Sequence, residues 1–245
     1  MNTKDKERQT AIVTGASSGM GLGITQALIK LGYRVVANSR TISKSKELKA
    51  SEDLVLVDGD IGKKDTAIKV ADAAVRHFGR IDLLVNNAGI YLPKPFTDYT
   101  PEDFETMIST NVAGYFFITQ QAVTQMRKQK SGHVVSISTV LTDQPLAGAP
   151  ISLPVLTKST IPAVSRALAM EYVADGIRFN TISPGVVNTP MHANNDHTFL
   201  KTLHPIPRLV EVSEIVDAVL YLESAKMVNG ENIRIDGGAH AGAKW

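Results

Sequence analysis

The stretch Thr14-Gly15-Ala16-Ser17-Ser18-Gly19-Met20-Gly21 decides the fold of this chain. It follows an apolar run at residues 11–14 and precedes a run with helical spacing at residues 22–31. A glycine turn between a strand and a helix lets backbone N–H groups and the positive helix N-terminus face a phosphate. Three glycines near a turn can also be purely structural, but the strand–turn–helix context favours pyrophosphate binding. The predicted contacts are Gly15, Ser17, Ser18, Gly19, Met20 and Gly21.

Segments with strand and helix character alternate along the whole chain. Strands are expected at residues 11–14, 34–38, 54–58, 81–86, 133–138, 177–182 and 232–236. Helices are expected at residues 22–31, 64–78, 157–174 and 213–222, and residues 101–129 are expected to form one long helix or two abutting helices. The strands are near-continuous apolar runs, which is typical of parallel strands covered by helices on both faces. The sequence therefore predicts an α/β fold: a Rossmann-type, doubly wound parallel sheet of about seven strands flanked by helices.

Composition narrows the kind of protein. The 245 residues are enough for one domain with a large core, so we expect a single dinucleotide-binding domain over residues 1–245. The net charge of +2 gives no nucleic-acid footprint, and the absence of cysteine excludes disulfides and thiolate metal sites. The N-terminus has no apolar signal region, and no apolar run approaches the roughly 20 residues that span a bilayer. We expect a cytoplasmic protein without a metal.

The end of the second predicted strand bears on the choice of cofactor. An acidic residue at this position usually binds the ribose 2′-hydroxyl of NAD. Here the strand ends Ala37-Asn38-Ser39-Arg40, with no carboxylate. The planar guanidinium of Arg40 suits a 2′-phosphate, so we predict NADP, with Ser39 and Arg40 as contacts. The alternative is that Arg40 is an ordinary solvated arginine.

With these residues in place, the chain resembles the short-chain dehydrogenase/reductase family over essentially its whole length. Besides the glycine turn, five short motifs follow in the family's order: Asp60-Ile61, Asn86-Asn87-Ala88-Gly89, Asn111-Val112-Ala113-Gly114, Pro184-Gly185 with Val187 and Thr189 beyond, and Asp236-Gly237-Gly238. The resemblance implies hydride transfer between a nicotinamide and a small carbonyl or alcohol, by a homodimer or homotetramer. It implies further cofactor contacts at Asp60, Ile61, Asn87, Ala88, Gly89, Lys158, Pro184, Gly185, Val187 and Thr189.

The family's chemistry uses a serine, a tyrosine and a lysine. The resemblance places Thr139 at the serine position with Ser138 as its neighbour, Lys158 at the lysine position, and Asn111 where the family holds a water of its proton relay. The implied catalytic residues are Asn111, Ser138, Thr139 and Lys158. Pro154 stands four residues before Lys158, where the proton-donating tyrosine is expected.

Two prolines bear on the helix that carries Lys158. Pro154 costs little if it lies in the first turn, where its N–H would be unpaired, and Ser152 is a possible N-cap. Pro162 removes the helical donor for the carbonyl of Lys158. We therefore expect either a kink near Lys158 or a helix that begins regularly only near Ile161.

The proline at the tyrosine position leaves the proton donor open. Tyr91, His192, Lys158 itself and water are the candidates, since histidine titrates near neutrality and a desolvated lysine becomes more acidic. The irregular stretch 188–209 is expected to be a substrate lid. It contains His192 and His197, and His204 lies near its end. Their spacing matches no helical metal-ligand pattern. Three functions stay open: an NADP-dependent oxidoreductase with a non-standard donor, a catalytically inactive NADP-binding regulatory or partner subunit, and a lyase or dehydratase using the same pocket.

Overall fold

The computed structural model describes residues 8–242, and a sheet of seven parallel strands forms its centre. The strands are β1 (Thr10–Thr14), β2 (Arg34–Ser39), β3 (Leu54–Asp58), β4 (Leu83–Asn86), β5 (Gly132–Ile137), β6 (Ile177–Pro184) and β7 (Asn232–Ile235), in the order β3-β2-β1-β4-β5-β6-β7. The order reverses between β1 and β4, which is where doubly wound sheets bind ligands. The predicted fold is confirmed, and each strand end lies within two residues of its prediction. Residues 1–7 and 243–245, which the single-domain prediction includes, lie outside the described residues.

The helices cover both faces of the sheet. They are α1 (Gly19–Lys30), α2 (Lys64–Phe78), α3 (Pro101–Met107), α4 (Gly114–Gln129), α5 (Ser152–Lys158), α6 (Thr160–Glu171), α7 (His197–Thr202) and α8 (Val212–Ser224). A π-helical segment, Ile108–Ala113, joins α3 to α4. No helix among residues 8–242 is long and apolar enough to cross a membrane.

Alternation along the strands sorts the core into two layers. Val13 and Val135 pack with residues of α1 and α8. Their neighbours Ile12 and Val134 face the other way and pack with residues of α2 and α4. Because every strand is parallel, the carboxyl ends of β1, β4, β5 and β6 meet at one edge of the sheet. The sequence motifs are therefore gathered at that edge.

The prediction of one helix over residues 157–174 is wrong, because two helices meet within this range. The helix α5 ends at Lys158 and α6 begins at Thr160, with Ser159 between them. Pro162 supplies no N–H to the carbonyl of Lys158, so the expected interruption near Lys158 is confirmed.

The start of α5 accommodates Pro154. The helix begins at Ser152, and its N-cap is Ile151 rather than the expected Ser152, with no side-chain capping bond. Pro154 lies in the first turn, where a backbone N–H has no helical partner in any case. The proline therefore costs the helix little, as the sequence predicted.

The stretch 188–209 is more regular than expected. It contains a 3₁₀ turn, Pro190–His192, and the helix α7. The backbone N–H of Asn188 donates to the carbonyl of Val210 over 2.8 Å, and that of Ile206 donates to the carbonyl of Gly237 over 3.2 Å. The segment is thus tied to the rest of the domain near both of its ends.

Candidate active site

The glycine turn between β1 and α1 is packed so closely that two of its positions have no room for a side chain. A Cβ on Gly15 would lie 2.9 Å from the Cα of Ala88, and Gly15 also has a φ of +65°. A Cβ on Gly21 would lie 2.3 Å from the carbonyl oxygen of Gly15. The turn therefore presents bare backbone at the β1–β4 switch point, which fits the close approach of a pyrophosphate.

Hydrogen bonds join this turn to the loop after β4. The side-chain amide of Asn87 donates to the carbonyls of Thr14 and Gly15, over 2.9 and 3.2 Å. The hydroxyl of Thr14 accepts from the backbone N–H groups of Asn87 and Ala88, over 3.1 and 3.0 Å. Asn87, which was expected only as a cofactor contact, thus also links the glycine turn to the loop after β4. This role of Thr14 was not predicted from the sequence. The feature that could have indicated it is a hydroxyl side chain directly before the first glycine of the turn.

The N-terminus of α1 is open to an anion. The helix begins at Gly19 rather than at residue 22, so the last two glycines of the turn lie in its first turn. Ser18, the N-cap, makes no side-chain capping bond, and the first turn carries no acidic residue. Ser17 and Ser18 are exposed. The positive end of the helix dipole is therefore uncompensated by side chains, as a diphosphate site requires.

Arg40 lies just past the end of β2 and is exposed. Its guanidinium makes no hydrogen bond or ion pair with any side chain in the described part of the chain, and the neighbouring hydroxyl of Ser39 is buried without a partner there. The carboxylate of Asp58, at the end of the neighbouring strand β3, accepts hydrogen bonds from the hydroxyl and the backbone N–H of Ser43, and these bonds lower its pKa. The donor fork of Arg40 is thus available to a 2′-phosphate.

Asp60 and Ile61, which follow β3, have different surroundings. The carboxylate of Asp60 accepts from the backbone N–H of Gly62 over 2.9 Å and stays partly exposed. The side chain of Ile61 is buried against Gly114 at the start of α4, where a Cβ would lie 2.9 Å from it. Asp60 is therefore the polar group that this loop offers to a ligand.

The loop after β6 reaches the glycine turn. A Cβ on Gly19 would lie 3.2 Å from the Cγ2 of Thr189, so Thr189 closes one side of the turn. Val187 is buried and pairs with Val210, and Pro184 ends β6. The predicted cofactor contacts from three different strand ends are thus brought to one place.

Asn111 is a clamp rather than a free amide. Its Nδ2 donates to the carbonyl of Ile90 over 3.0 Å and to the hydroxyl of Thr157 over 3.0 Å, and its Oδ1 accepts from the N–H of Ile90 over 2.8 Å. Both amide hydrogens are used, so the side chain holds the loop after β4 against α5. Asn111 lies in the π-helical segment, a form of helix frequent at functional sites, which the sequence did not predict.

Lys158 lines a small, mostly enclosed cavity behind the strand ends, together with Asn86, Asn111 and Tyr115. Among residues 8–242 its ammonium has one polar contact, a long one of 3.5 Å with the carbonyl of Ile137, and no carboxylate lies within ion-pair distance. Burial without a counter-ion lowers the pKa of Lys158 to about 8. The lysine is therefore protonated at neutral pH but acidic for its type.

The wall of this cavity includes polar side chains although it is buried. The Oδ1 of Asn86 and the hydroxyl of Tyr115 have no hydrogen-bond partner of good geometry among the described residues. Burial raises the pKa of Tyr115, while the hydroxyls of Ser165 and Ser136 lower it in part. Tyr115 is thus a neutral phenol beside Lys158. In the sequence it begins the run Tyr115-Phe116-Phe117-Ile118, which is typical of packed aromatic side chains.

The two hydroxyls at the end of β5 differ. The hydroxyl of Ser138 is buried and donates to the backbone carbonyl of Lys158 over 3.1 Å. The hydroxyl of Thr139 accepts from the N–H of Leu141 over 3.4 Å, which leaves its proton free, and the residue is partly exposed. Thr139 is therefore the member of the pair that can donate to a substrate oxygen.

The three histidines of the stretch 188–209 and Tyr91 have different surroundings. His204 is buried with both ring nitrogens bonded, and the Nε2 of His197 lies 3.0 Å from the carbonyl of His192. His192 is exposed, with its Nδ1 3.2 Å from Asn195. Tyr91 is partly exposed, and burial, with Tyr99 as the smaller cause, raises the pKa of its phenol. Within residues 8–242 no group of three histidine, aspartate or glutamate side chains could hold a metal ion.

The chain is similar to known oxidoreductases. A family model described as enoyl-(acyl carrier protein) reductase matches residues 15–240. An acetoacetyl-CoA reductase of Acinetobacter sp. is 34% identical, over 96% of this chain and 98% of the relative. The 3-ketoacyl-(acyl-carrier-protein) reductase of Brucella melitensis, solved with NADH, is 26% identical with a TM-score of 0.89, covering 96% of this chain and 99% of that one. ElxO, solved with NADP bound, is 27% identical with a TM-score of 0.85, covering 96% and 100%.

Proposed function

Since the chain belongs to the short-chain dehydrogenase/reductase family, we propose that it is an NADP-dependent oxidoreductase whose proton donor is not a tyrosine. Its substrate is a small carbonyl compound or the corresponding alcohol. The observation that carries this proposal is the environment of Lys158. This lysine has no counter-ion, its pKa is lowered to about 8, and its cavity is lined by residues at the ends of β1, β4 and β5. Such a pKa near the working pH suits a general acid.

The residues at the strand ends fit a dinucleotide. The glycine turn and the N-terminus of α1 would hold the pyrophosphate, and Arg40 the 2′-phosphate. Asp60 would contact the adenine, and the loop from Pro184 to Thr189 the nicotinamide end. When bound, the cofactor supplies or accepts the hydride. One similar structure was solved with NADP and another with NADH, so the fold alone does not select the cofactor. The proposal that this chain prefers NADP therefore rests on Arg40.

The chain's own residues would handle the substrate oxygen. The free hydroxyl of Thr139 donates a hydrogen bond to the carbonyl oxygen and polarises it. As the carbonyl carbon receives the hydride, the oxygen takes a proton from the ammonium of Lys158, which becomes a neutral amine and recovers a proton from water. Asn111 donates to the hydroxyl of Thr157 and Ser138 donates to the carbonyl of Lys158, so both hold α5 in place around Lys158.

The names of the relatives suggest a first substrate class. An acetoacetyl-CoA reductase and a 3-ketoacyl reductase both act, by name, on 3-ketoacyl thioesters. The test is consumption of NADPH by the purified protein with 3-ketoacyl thioesters, ketones, aldehydes and quinones, compared with Lys158→Met. We expect turnover in the wild type that the variant lacks. Turnover that is equal in both would remove Lys158 from the reaction.

A second function, that of an inactive NADP-binding regulatory or partner subunit, is favoured by Pro154. Calorimetric binding of NADPH at the wild-type level, together with no turnover of the whole panel, would support it. A lyase or dehydratase using a lid histidine has less support, because His197 and His204 are already bonded within the chain. It would show as product formed without NADPH consumption.

We also propose a homodimer or homotetramer. The helices α4 and α6 carry outward apolar side chains, with Phe116 55% and Val164 38% exposed. The resemblance to the family implies that these helices pack against a partner subunit, which would cover such side chains. Light scattering of the purified protein tests this, and a monomeric mass would contradict it.

A further inference from the structure

His204 is a buried histidine that touches three segments at the edge of the proposed cofactor site. It is 3% exposed and lies between α7 and α8, in the last part of the stretch 188–209. Its ring lies against Gly185 and Val186, directly after β6, and its Cβ lies 3.4 Å from the position of a Cβ on Gly237. No chemistry at the substrate oxygen requires this residue, because Thr139 and Lys158 serve there.

The hydrogen bonds of His204 define one neutral tautomer. Its Nδ1 lies 2.6 Å from the backbone carbonyl of Arg208, which can only accept, so Nδ1 carries the proton. Its Nε2 lies 2.9 Å from the backbone N–H of Val186, which can only donate, so Nε2 accepts. One ring thus links the loop after β6 to the end of the stretch 188–209.

The contact between His204 and Gly185 leaves no free space. A Cβ on Gly185 would lie 2.3 Å from the Nε2 of His204, so the ring lies directly on bare backbone. The neighbouring residue is held from its other side as well, because the carbonyl of Val186 accepts from the N–H of Val210 over 2.9 Å. Both polar groups of the Val186 backbone are thereby fixed, one of them by His204.

We propose that His204 is a positioning residue for the nicotinamide end of the cofactor site. It fixes the backbone of Gly185 and Val186, and so sets the course of the loop that continues to Val187 and Thr189. This inference rests on the proposed function, because these loop residues are contacts only if the protein binds NADP. It assigns His204 a role in cofactor affinity rather than in proton transfer.

Two substitutions separate the two hydrogen bonds of the ring. In His204→Asn, the side-chain amide lies close to the Cβ, so it can still donate to Arg208 but has no acceptor that reaches Val186. In His204→Gln, the longer side chain brings an acceptor to Val186. A buried N–H that loses its acceptor typically shifts the equilibrium of the arrangement that buries it, here the NADPH-binding course of the loop, by about tenfold or more. We expect the Asn variant to bind NADPH about tenfold more weakly, and the Gln variant to stay within about threefold of the wild type.

The matched ligand is adenosine 2′,5′-bisphosphate, which has the adenine and the 2′-phosphate but no nicotinamide. We expect calorimetry to show unchanged binding of this ligand in both variants, and thermal melting to show that both are folded. Unchanged NADPH binding in folded His204→Asn, or equal weakening of both ligands, would overturn the inference. If His204→Asn does not fold, Gly185→Ala, alone and combined with His204→Ala, replaces it: we expect the alanine to weaken NADPH binding less once the ring is gone, and an equal effect in both backgrounds would overturn the inference.

The wild type decides which proposal has failed. Wild-type protein that binds neither NADPH nor the bisphosphate would overturn the proposed function, and this inference with it. Wild-type binding of NADPH combined with the negative results above would overturn the role of His204 alone.

Discussion

The hydroxyl of Ser138 donates a hydrogen bond to the backbone carbonyl of Lys158 over 3.1 Å. That carbonyl has no helical donor, because Pro162 occupies the position from which an N–H would come. Ser138 thus replaces the missing helical bond and fixes the backbone from which the side chain of Lys158 reaches the cavity. The neighbouring Thr139 keeps its hydroxyl proton free for a substrate.

Removal of the Ser138 hydroxyl is therefore expected to lower mainly stability, and removal of the Thr139 hydroxyl is expected to lower mainly activity. Ser138→Ala leaves a buried carbonyl without a donor and should lower the free energy of unfolding by about 1–3 kcal/mol. Thr139→Ala removes only the long bond that the hydroxyl accepts from Leu141, so it should lower stability less than Ser138→Ala does. It should lower kcat/KM by about a hundredfold, as the loss of one oxyanion donor does. Thermal or urea unfolding and steady-state kinetics measure both quantities. Thr139→Ser is the matched control and should retain activity, while a stability loss confined to Thr139→Ala would reverse our assignment.

The sequence predicted local consequences better than contacts between distant segments. The interruption after Lys158 followed from the chemistry of Pro162 alone, and the strand positions followed from buried apolar runs. The bond from Ser138 joins residues 20 positions apart, so no local pattern announces it. The ring of His204 likewise has a partner, Val186, that only the folded chain brings near.

The candidate site shows the same division. The glycine turn was predicted from its place between a strand and a helix, but the helix begins earlier than expected, at Gly19. Asn111 was identified from its motif, yet its π-helical backbone and its bonds to Ile90 and Thr157 depend on packing. Tyr115 could not be predicted as a site residue, because an aromatic side chain in an apolar run gives no sign of an unpaired hydroxyl.

Arg40→Ala is expected to change cofactor preference. A charge-assisted hydrogen bond contributes about 1.5–3 kcal/mol, so the variant should bind NADPH about ten- to a hundredfold more weakly and NADH as before. Titration of both cofactors by calorimetry or fluorescence measures this. Lys49→Ala removes another exposed cation and serves as the control. If the wild type does not favour NADPH over NADH, or if Arg40→Ala preserves such a preference, the assignment of Arg40 is wrong.

The rate of carbonyl reduction is expected to fall at alkaline pH. The protonated form of Lys158 is the donor, and its pKa is lowered to about 8. The rate should therefore be level well below that pH, then fall by about tenfold per pH unit above it. Steady-state kcat measured across this range tests the sign and the position of the fall. Lys158→Arg keeps the charge but does not titrate there, so any remaining activity of this variant should be insensitive to pH near 8. A wild-type rate that rises through the same range would exclude Lys158 as the acid.

Pro154→Tyr is expected to raise activity. Pro154 is buried in the first turn of α5, one turn before Lys158, so the backbone N–H that tyrosine restores needs no helical partner. A positioned general acid contributes about 10²–10⁴-fold, and the variant should gain part of that factor in kcat.

Pro154→Phe separates the hydroxyl from the ring. It imposes the same extra volume on a buried position, so any loss of stability should be common to both variants, whereas the gain in kcat should belong to the tyrosine alone. Equal kcat in the two variants would mean that position 154 does not face the reacting atoms, and that the resemblance misplaces the tyrosine. If instead only the tyrosine variant is faster, the wild-type rate tells what the proline has done. Measurable wild-type turnover that depends on Lys158 would mean that the proton path runs through the lysine, and its absence would mean that the proline has removed a reaction the rest of the site still supports.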